Sequence, residues 1–177
     1  MHQSFFNNAV CDKAIISITE GDINALSVIY DLMSRQIYSL AMSILRNIHD
    51  AEDVLQDTLY EIVKCSHAYR KGSNAKAWVL SITRNLALKK VRNRKITVPL
   101  DEAENTLNAS VSDDTFIKPL LFFDTLKILP DDEQQIIVLK IHSGLKHKEI
   151  ADVMEMSVTA VQKKYQRACK KLSAYFK

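Results

Sequence analysis

The sequence has few residues that break helices: only three glycines and three prolines occur in 177 residues. A chain this poor in breakers is typical of a mostly helical protein. Gly21, Gly72 and Gly144 stand far apart, so no glycine-rich loop is available to hold a phosphate. The common nucleotide-binding motifs are therefore excluded.

Cysteines and long apolar runs are also scarce. Cys11, Cys65 and Cys169 are odd in number and form no C-x-x-C pair, which argues against a disulfide framework or a zinc site. No apolar run approaches the roughly 18–20 residues of a membrane span, and the N-terminus lacks the pattern of a secretion signal. The sequence predicts a soluble, cytoplasmic protein that is not inserted in a membrane and has no cofactor or metal.

Apolar residues that recur every three or four positions predict three helices in the first half of the chain. The first runs from about residue 24 to 48, the second follows an N-cap at Asp50, and the third runs from about 75 to 94. Polar residues 66–74 predict a loop before the third helix. That helix is apolar on two sides, which predicts packing on both. Trp78 is predicted to lie in the core, with a stacking platform for a base as the alternative.

The helical pattern fails between residues 96 and 117, which contain Pro99 and five acidic residues but no basic one. This composition predicts a flexible acidic linker, although a solvated loop without a role is an alternative. The predicted fold class is all-α, with two small helical domains at residues 1–95 and 118–177 joined by the linker 96–117. The net charge of +3 is the sum of opposite contributions, because each domain carries +4 and the linker carries −5.

Helical patterning resumes near Phe116, at the end of the linker, and continues through the second domain. Asp131 with Gln134, directly after Pro130, resembles a capping box, and Gly144 is well placed to end the helix that follows. Two short helices, at about 146–154 and 157–175, then meet at a tight turn. This arrangement predicts a helix-turn-helix.

The last helix has an apolar face at Val161, Tyr165, Ala168 and Leu172 and an opposite face of amides and amines. Such a helix suits a DNA major groove, where Gln pairs with adenine, Lys with guanine and flanking cations with phosphates. An ordinary solvated basic face is the alternative. The candidate DNA-binding residues here are Ser157, Thr159, Gln162, Lys163, Lys164, Gln166, Arg167 and Lys170.

A second basic cluster lies on the third helix and the loop before it. Cations near a helix C-terminus are favourable in any protein, which is the alternative to a nucleic-acid surface. Tyr69 is predicted either to stack on an unpaired base, as in single-strand binders, or to lie in the core. The other candidate DNA-binding residues of this cluster are Arg70, Lys71, Asn74, Ser81, Arg84, Asn85, Lys89, Lys90, Arg92, Arg94 and Lys95.

Four stretches of the sequence form one ordered set. They are Gly21-Asp22 with the helix after it, residues 50–58, residues 77–87, and Leu129-Pro130 through Gly144-Leu145 and Glu149-Ile150-Ala151 to Arg167-Ala168. Together they resemble the extracytoplasmic-function (ECF) sigma factors of bacterial RNA polymerase, in the sigma-70 family. They occur in the family's order and spacing and cover nearly the whole chain outside the linker. The chain departs from the family pattern at Lys146, Glu155 and Gln162.

The resemblance implies a role for each part. Asp53, Gln56 and Asp57 are expected to dock on the polymerase clamp. The loop from Tyr69 to Asn74 is expected to bind a flipped base of the minus-ten element, and residues 84–95 the adjoining strand and duplex. The second domain is expected to bind the minus-thirty-five element and the polymerase flap, and the linker to thread toward the RNA exit path.

The predicted function is that of a sigma factor, which binds core polymerase, recognises promoter DNA and assists melting without being an enzyme. The resemblance also implies an anti-sigma factor as a partner and association with the nucleoid when active. A stand-alone helix-turn-helix regulator is the principal alternative, and a helical adaptor that binds no DNA is the third. The acidic and basic surfaces of the first domain favour the sigma factor, because a plain regulator has no use for them.

Overall fold

The structure, a computed structural model, describes residues 2–97 and 122–176, with side chains described for residues 8–94 and 122–176. These two ranges contain α-helices, short 3₁₀ turns and no strand. The all-α class is therefore confirmed. The helices are α1 (His2–Thr19), α2 (Leu26–Leu45), α3 (Ile48–Cys65), α4 (Ala75–Thr97), α5 (described for residues 122–126), α6 (Asp131–Ile141), α7 (His147–Met154) and α8 (Val158–Tyr175).

The N-terminal helix α1 has no counterpart among the predicted helices. Its buried side chains are Cys11, Ala14, Ile15 and Ile18, whose spacing places them on one face. This face packs against α2 and α4. The helix therefore completes the first bundle.

Two predicted helix starts are wrong for local reasons. Asn47, and not Asp50, caps α3, because its side chain accepts a 3.0 Å bond from the Asp50 backbone nitrogen. The predicted capping box of α6 is absent, since Pro130 occupies the N-cap position and has no side-chain donor or acceptor. Asp131 is instead the first residue of α6, and the Gln134 amide donates to the Leu129 carbonyl at 2.8 Å.

The predicted linker needs a correction at its first residues. Helix α4 continues to Thr97, so residues 96 and 97 are helical. The remainder of the linker and the predicted helix start at Phe116 lie outside the described residues, as does the side chain of Lys95.

The two predicted domains share a core. Helix α2 packs against α1, α3 and α4 and also against α6, and α4 packs against α7. One cluster of buried side chains joins Ile37 and Leu80 of the first domain to Ile136, Leu139 and Ile150 of the second. The apolar faces of α6 and α7 are therefore covered by the first domain as well as by α8.

The turn of the predicted helix-turn-helix is formed by a strained residue. Glu155 ends α7 with a φ of 55°, in the left-handed region, and its backbone nitrogen bonds back to the Ala151 and Asp152 carbonyls. Ser157 then caps α8 by accepting from the Ala160 nitrogen at 3.2 Å, as predicted.

We expect Glu155→Gly to stabilise the protein by about 0.5–1 kcal/mol. The left-handed conformation costs a non-glycine residue about 1–2 kcal/mol, and the greater freedom of glycine in the unfolded chain offsets part of that gain. Urea unfolding measures the change. Glu155→Ala is the matched control, because it removes the same charge but keeps the strain; an equal gain in both variants would contradict the prediction.

Candidate nucleic-acid interface

Helix α8 presents the two faces that the sequence predicts. Val161 and Ala168 are fully buried, and Tyr165 and Leu172 pack partly buried against the same cores. The opposite face is open to solvent. Its exposed candidates are Thr159, Gln162, Lys163, Gln166, Arg167 and Lys170, with Ser157 exposed at the cap.

Acidic residues at the start of α6 engage several of the α8 cations. Lys164 donates to Asp132, and Lys171 contacts the nearly buried carboxylate of Glu133 at 2.9 Å. Burial of Asp132 acts to raise its pKa, but the bond and charge of Lys164 outweigh this and leave the pKa below its usual value. Arg167 lies 3.8 Å from Glu133. Lys164 therefore attaches α8 to α6, whereas Lys163, Gln166, Arg167 and Lys170 line a shallow open groove.

The loop before α4 is held from within the first bundle. The Tyr69 ring lies half-buried, 5.1 Å from that of Trp78, and its hydroxyl donates to Asp12 at 2.6 Å. Burial and this bond raise the Tyr69 pKa. Asn74 accepts from the Ala77 nitrogen at 3.0 Å, so it caps α4. Of the two predicted placements for Tyr69, packing against the core fits this arrangement.

The positive side chains Arg70 and Lys71 of this loop are exposed. On α4, Asn85, Lys89 and Arg92 are exposed as well. The loop and the helix thus offer cations and an amide to solvent along one stretch of chain, as a nucleic-acid surface requires.

Other α4 candidates are engaged in the fold. Arg84 is half-buried and donates to Gln135 of α6 at 3.0 Å. Lys90 contacts Asp50 at 2.9 Å and Asp53 at 2.6 Å, and Arg94 also pairs with Asp50. Ser81, half-exposed, donates to the Ala77 carbonyl of its own helix at 2.9 Å.

The exposed acidic face of α3 also carries an aromatic residue that was not predicted from the sequence. Asp53, Gln56 and Asp57 are exposed on one face, and Tyr60 continues it with 70% of its surface exposed. Asp53 is bound to Lys90, whereas Asp57 has no ion pair among the described residues. Tyr60 stands four residues after Gln56 and three after Asp57, so helical spacing already indicated that it lies on the same face.

Polar bonds join the two domains around their shared core. The buried ammonium of Lys76 donates to the Ser143 carbonyl at 2.7 Å, and Arg46 pairs with Asp131 at 2.6 Å. With the bond from Arg84 to Gln135, they place α6 and the segment after it against α4 and α2. Arg84 and Lys76 are therefore covered by the second domain in this structure.

His142 is a further link between the domains. Its Nδ1 lies 3.3 Å from the Ser39 hydroxyl of α2, and its ring contacts Phe122 and Phe123. Burial, aided by the charge of Arg35, lowers the His142 pKa from 6.5.

Acidification is therefore expected to weaken the fold through His142. Its folded pKa is depressed, so the unfolded chain takes up the proton first as pH falls below 6.5, and the stability present at higher pH is lost. Urea unfolding at about pH 7.5 and about pH 5.5 measures the effect. His142→Gln, which does not titrate, should lose less stability than the wild type over this range; an equal loss would contradict the assignment.

Helices long and apolar enough to cross a membrane do not occur in the described ranges. In the same ranges, no group of three or more His, Cys, Asp and Glu side chains is placed to hold a metal ion.

The fold and its surfaces define a two-domain helical protein with a helix-turn-helix in the second domain. The model of Sigma-70 region 2 matches residues 29–96, and the model of Sigma-70, region 4 matches residues 121–172. The chain belongs to the sigma-70 family.

Curated relatives match along most of the chain. The ECF RNA polymerase sigma factor EcfG of Rhodopseudomonas palustris is 28% identical over 140 residues, which are 77% of this chain and 76% of the relative. SigW of Bacillus subtilis is 27% identical over 169 residues, covering 88% and 90%.

Two solved structures share the fold. CnrH, in complex with the cytosolic domain of CnrY, has a TM-score of 0.74 at 21% identity and covers 94% of this chain and 97% of its own. The sigma factor RpoE of Bartonella quintana, in complex with the anti-sigma factor NepR, has a TM-score of 0.64 at 23% identity, covering 82% and 92%.

Proposed function

We propose that this chain is a promoter-specificity subunit that binds core RNA polymerase, recognises promoter DNA and assists its melting. One observation carries the proposal: a helix-turn-helix domain and a bundle with an exposed acidic-aromatic face occur in one chain. A stand-alone regulator needs only the first of these. The subunit carries out no chemistry of its own in this proposal.

Polymerase binding is assigned to the α3 face formed by Asp53, Gln56, Asp57 and Tyr60. Exposed carboxylates form charge-assisted bonds with arginines on a partner, and a tyrosine beside them adds apolar area. The second domain adds an apolar groove that fits a helix of the polymerase flap. The groove is lined by Phe122, Leu126, Ile137, Ile141, Leu172 and Phe176.

Promoter binding is assigned to two surfaces. The loop 69–74 would receive an unpaired base of the minus-ten element, with Arg70 and Lys71 on phosphates and exposed α4 residues on the adjoining strand. The exposed face of α8 would enter the major groove of the minus-thirty-five element.

The packing of the two domains implies a step between the free chain and the promoter complex. Arg84 is half-buried and its Nε donates to Gln135 of the second domain, which restricts its access to DNA. We therefore propose that the domains separate when the chain binds polymerase and that the acidic linker after α4, at residues 98–117, spans the gap toward the RNA exit path. An anti-sigma factor that holds the domains together would keep the chain inactive in the bacterial cytoplasm.

Run-off transcription tests the function. The purified chain, core polymerase and a genomic fragment pool are combined, and the transcript starts are mapped. Starts that depend on both proteins support the proposal. Binding of duplex DNA by the chain alone, unchanged by polymerase, would favour a stand-alone regulator. DNA binding that is absent at every salt concentration, with polymerase as well as without it, would favour an adaptor, because phosphate contacts are strongest at low salt and would be detected there.

A further inference from the structure

We propose that Asp12 of α1 is a positioning residue that holds the loop 69–74 in the shape that receives the unpaired base. The inference rests on the proposed function, since it gives that loop a fixed conformation before DNA arrives. Asp12 itself is not expected to contact DNA, because its carboxylate would repel the phosphates.

A single carboxylate oxygen of Asp12 bonds to two points of the loop. Asp12 Oδ1 accepts from the Tyr69 hydroxyl at 2.6 Å and from the Gly72 backbone nitrogen at 2.8 Å. These donors lie 57 and 60 residues further along the chain. Gly72 has a φ of 78°, so the loop turns back toward Asp12 at a residue that adopts this conformation without strain.

Helix α1 is packed into the core on either side of Asp12, which fixes the position of the Asp12 carboxylate. Cys11 and Ile15, on either side of Asp12 along the helix, are fully buried in the core. One turn before Asp12, Asn8 accepts from the Lys76 backbone nitrogen at 3.2 Å, in the first turn of α4. The same helix therefore bonds both to the loop and to the helix that follows it.

The rest of the loop depends on this anchor. Arg70, Lys71, Gly72 and Ser73 are exposed, and the two cations are available for phosphates. The Tyr69 phenol carries its proton at neutral pH and donates it to the carboxylate, and burial together with the bond to Asp12 raises the Tyr69 pKa further. A bond between a phenol and an ionised carboxylate is stronger than one between neutral groups.

An ordered loop favours base capture for an energetic reason. A flipped base has already lost its stacking, so a loop that must also become ordered binds it more weakly. When only a fraction of the loops has the binding shape, the apparent affinity falls by that fraction. Asp12 would thus raise the discrimination at one promoter base through the loop.

The test compares single-strand selection by holoenzymes. The wild-type chain, Asp12→Ala and Asp12→Asn are each assembled with core polymerase and offered a single-stranded DNA pool with about ten randomised positions. Sequencing of the bound pool gives the base preference at each position. We expect Asp12→Ala to reduce the preference about tenfold at one position and to leave the others unchanged, which is a loss of about 1.4 kcal/mol.

Asp12→Asn should restore most of the preference, because its amide oxygen can accept both bonds, but these bonds lack the charge that strengthens those of the carboxylate. Tyr69→Phe keeps the ring packed against Trp78 and removes the hydroxyl, and with it one of the two bonds to Asp12 and a 3.2 Å bond to the Ser73 carbonyl. It should therefore lose part of the preference at the same position. If Asp12→Ala does not fold, Tyr69→Phe decides the outcome.

Three results would overturn the inference. Full preference in Asp12→Ala, or in Tyr69→Phe where the alanine variant does not fold, refutes it and leaves the proposed function intact. An equal loss at all positions in both Asp12 variants means a structural role only. A wild-type holoenzyme without preference at any position refutes both the base-binding function and the inference.

Discussion

Asp57→Lys is expected to reduce binding to core RNA polymerase thirtyfold or more. Asp57 is exposed on α3 beside Gln56 and Tyr60. If these residues dock on the polymerase, the lysine replaces an attraction by a repulsion, and loss of a close charge pair at an interface costs about 2–5 kcal/mol. Titration of a fluorescently labelled chain with core polymerase measures the affinity.

Asp57 is a better test than Asp53, because the structure gives Asp53 a second role. Asp53 contacts Lys90 at 2.6 Å, so its reversal places two cations together and strains the bundle. Asp57 has no such ion pair among the described residues. Combined reversal of Asp53 and Asp57 should abolish binding, but only the single variant separates docking from folding.

Glu20→Lys is the matched control for this measurement. Glu20 is exposed just after α1 ends, and its replacement changes the net charge by the same amount. A cation at a helix C-terminus is favourable, so the fold should not suffer. Normal binding of Asp57→Lys, or equal loss in Glu20→Lys, would remove α3 from the docking surface.

Tyr60→Ala is expected to weaken polymerase binding by about 1–2 kcal/mol without unfolding the chain, since most of its surface is exposed. The same titration measures it. Tyr30→Ala is the control, because Tyr30 is also exposed, on α2. An equal effect in the control would show that Tyr60 does not belong to the interface.

Gln162→Ala and Lys163→Ala are each expected to cost about 1–3 kcal/mol at one base of the minus-thirty-five element and to relax specificity there. Both side chains are exposed on the outer face of α8. The measurement is holoenzyme binding to a set of duplexes with every single-base change in that element. A uniform loss across the set would instead make these residues phosphate contacts.

Lys164→Ala is the neighbouring control on α8. Lys164 donates to Asp132, so its loss should loosen the attachment of α8 to α6. The expected signs are a lower free energy of unfolding and an even loss of binding, with base preferences unchanged. A specific change at one base in Lys164→Ala would show that the side chain leaves Asp132 to read DNA.

Helical periodicity determined much of the fold in advance. The apolar faces of α2, α4 and α8 follow from spacings of three and four residues, since each helix must bury such a stripe. The face of α8 opposite this apolar stripe has nothing to bury and is therefore expected to be exposed to solvent. The resemblance to the ECF sigma factors, carried by residues such as Asp53 and Gln56, was equally present in the sequence and is confirmed by the family matches together with the ECF relatives.

Helix ends were less predictable, because they depend on backbone angles at single residues. Asp50 and Asn47 are both good caps, and the left-handed turn at Arg46 places Asn47 at the N-cap of α3. Pro130 likewise displaced the expected cap of α6.

Only the tertiary structure decided which charged residues are free to bind a partner. Composition marks Lys163 and Lys164 alike as candidates, but Asp132 lies where it accepts from Lys164 alone. Arg84 is likewise engaged by Gln135. The bonds of Asp12 to the loop also could not be read from the sequence, because they join residues 57 and 60 positions apart. A local pattern determines which face of a helix is apolar, whereas a charge finds its partner through contacts between segments far apart in the chain, and those contacts exist only once the helices have packed.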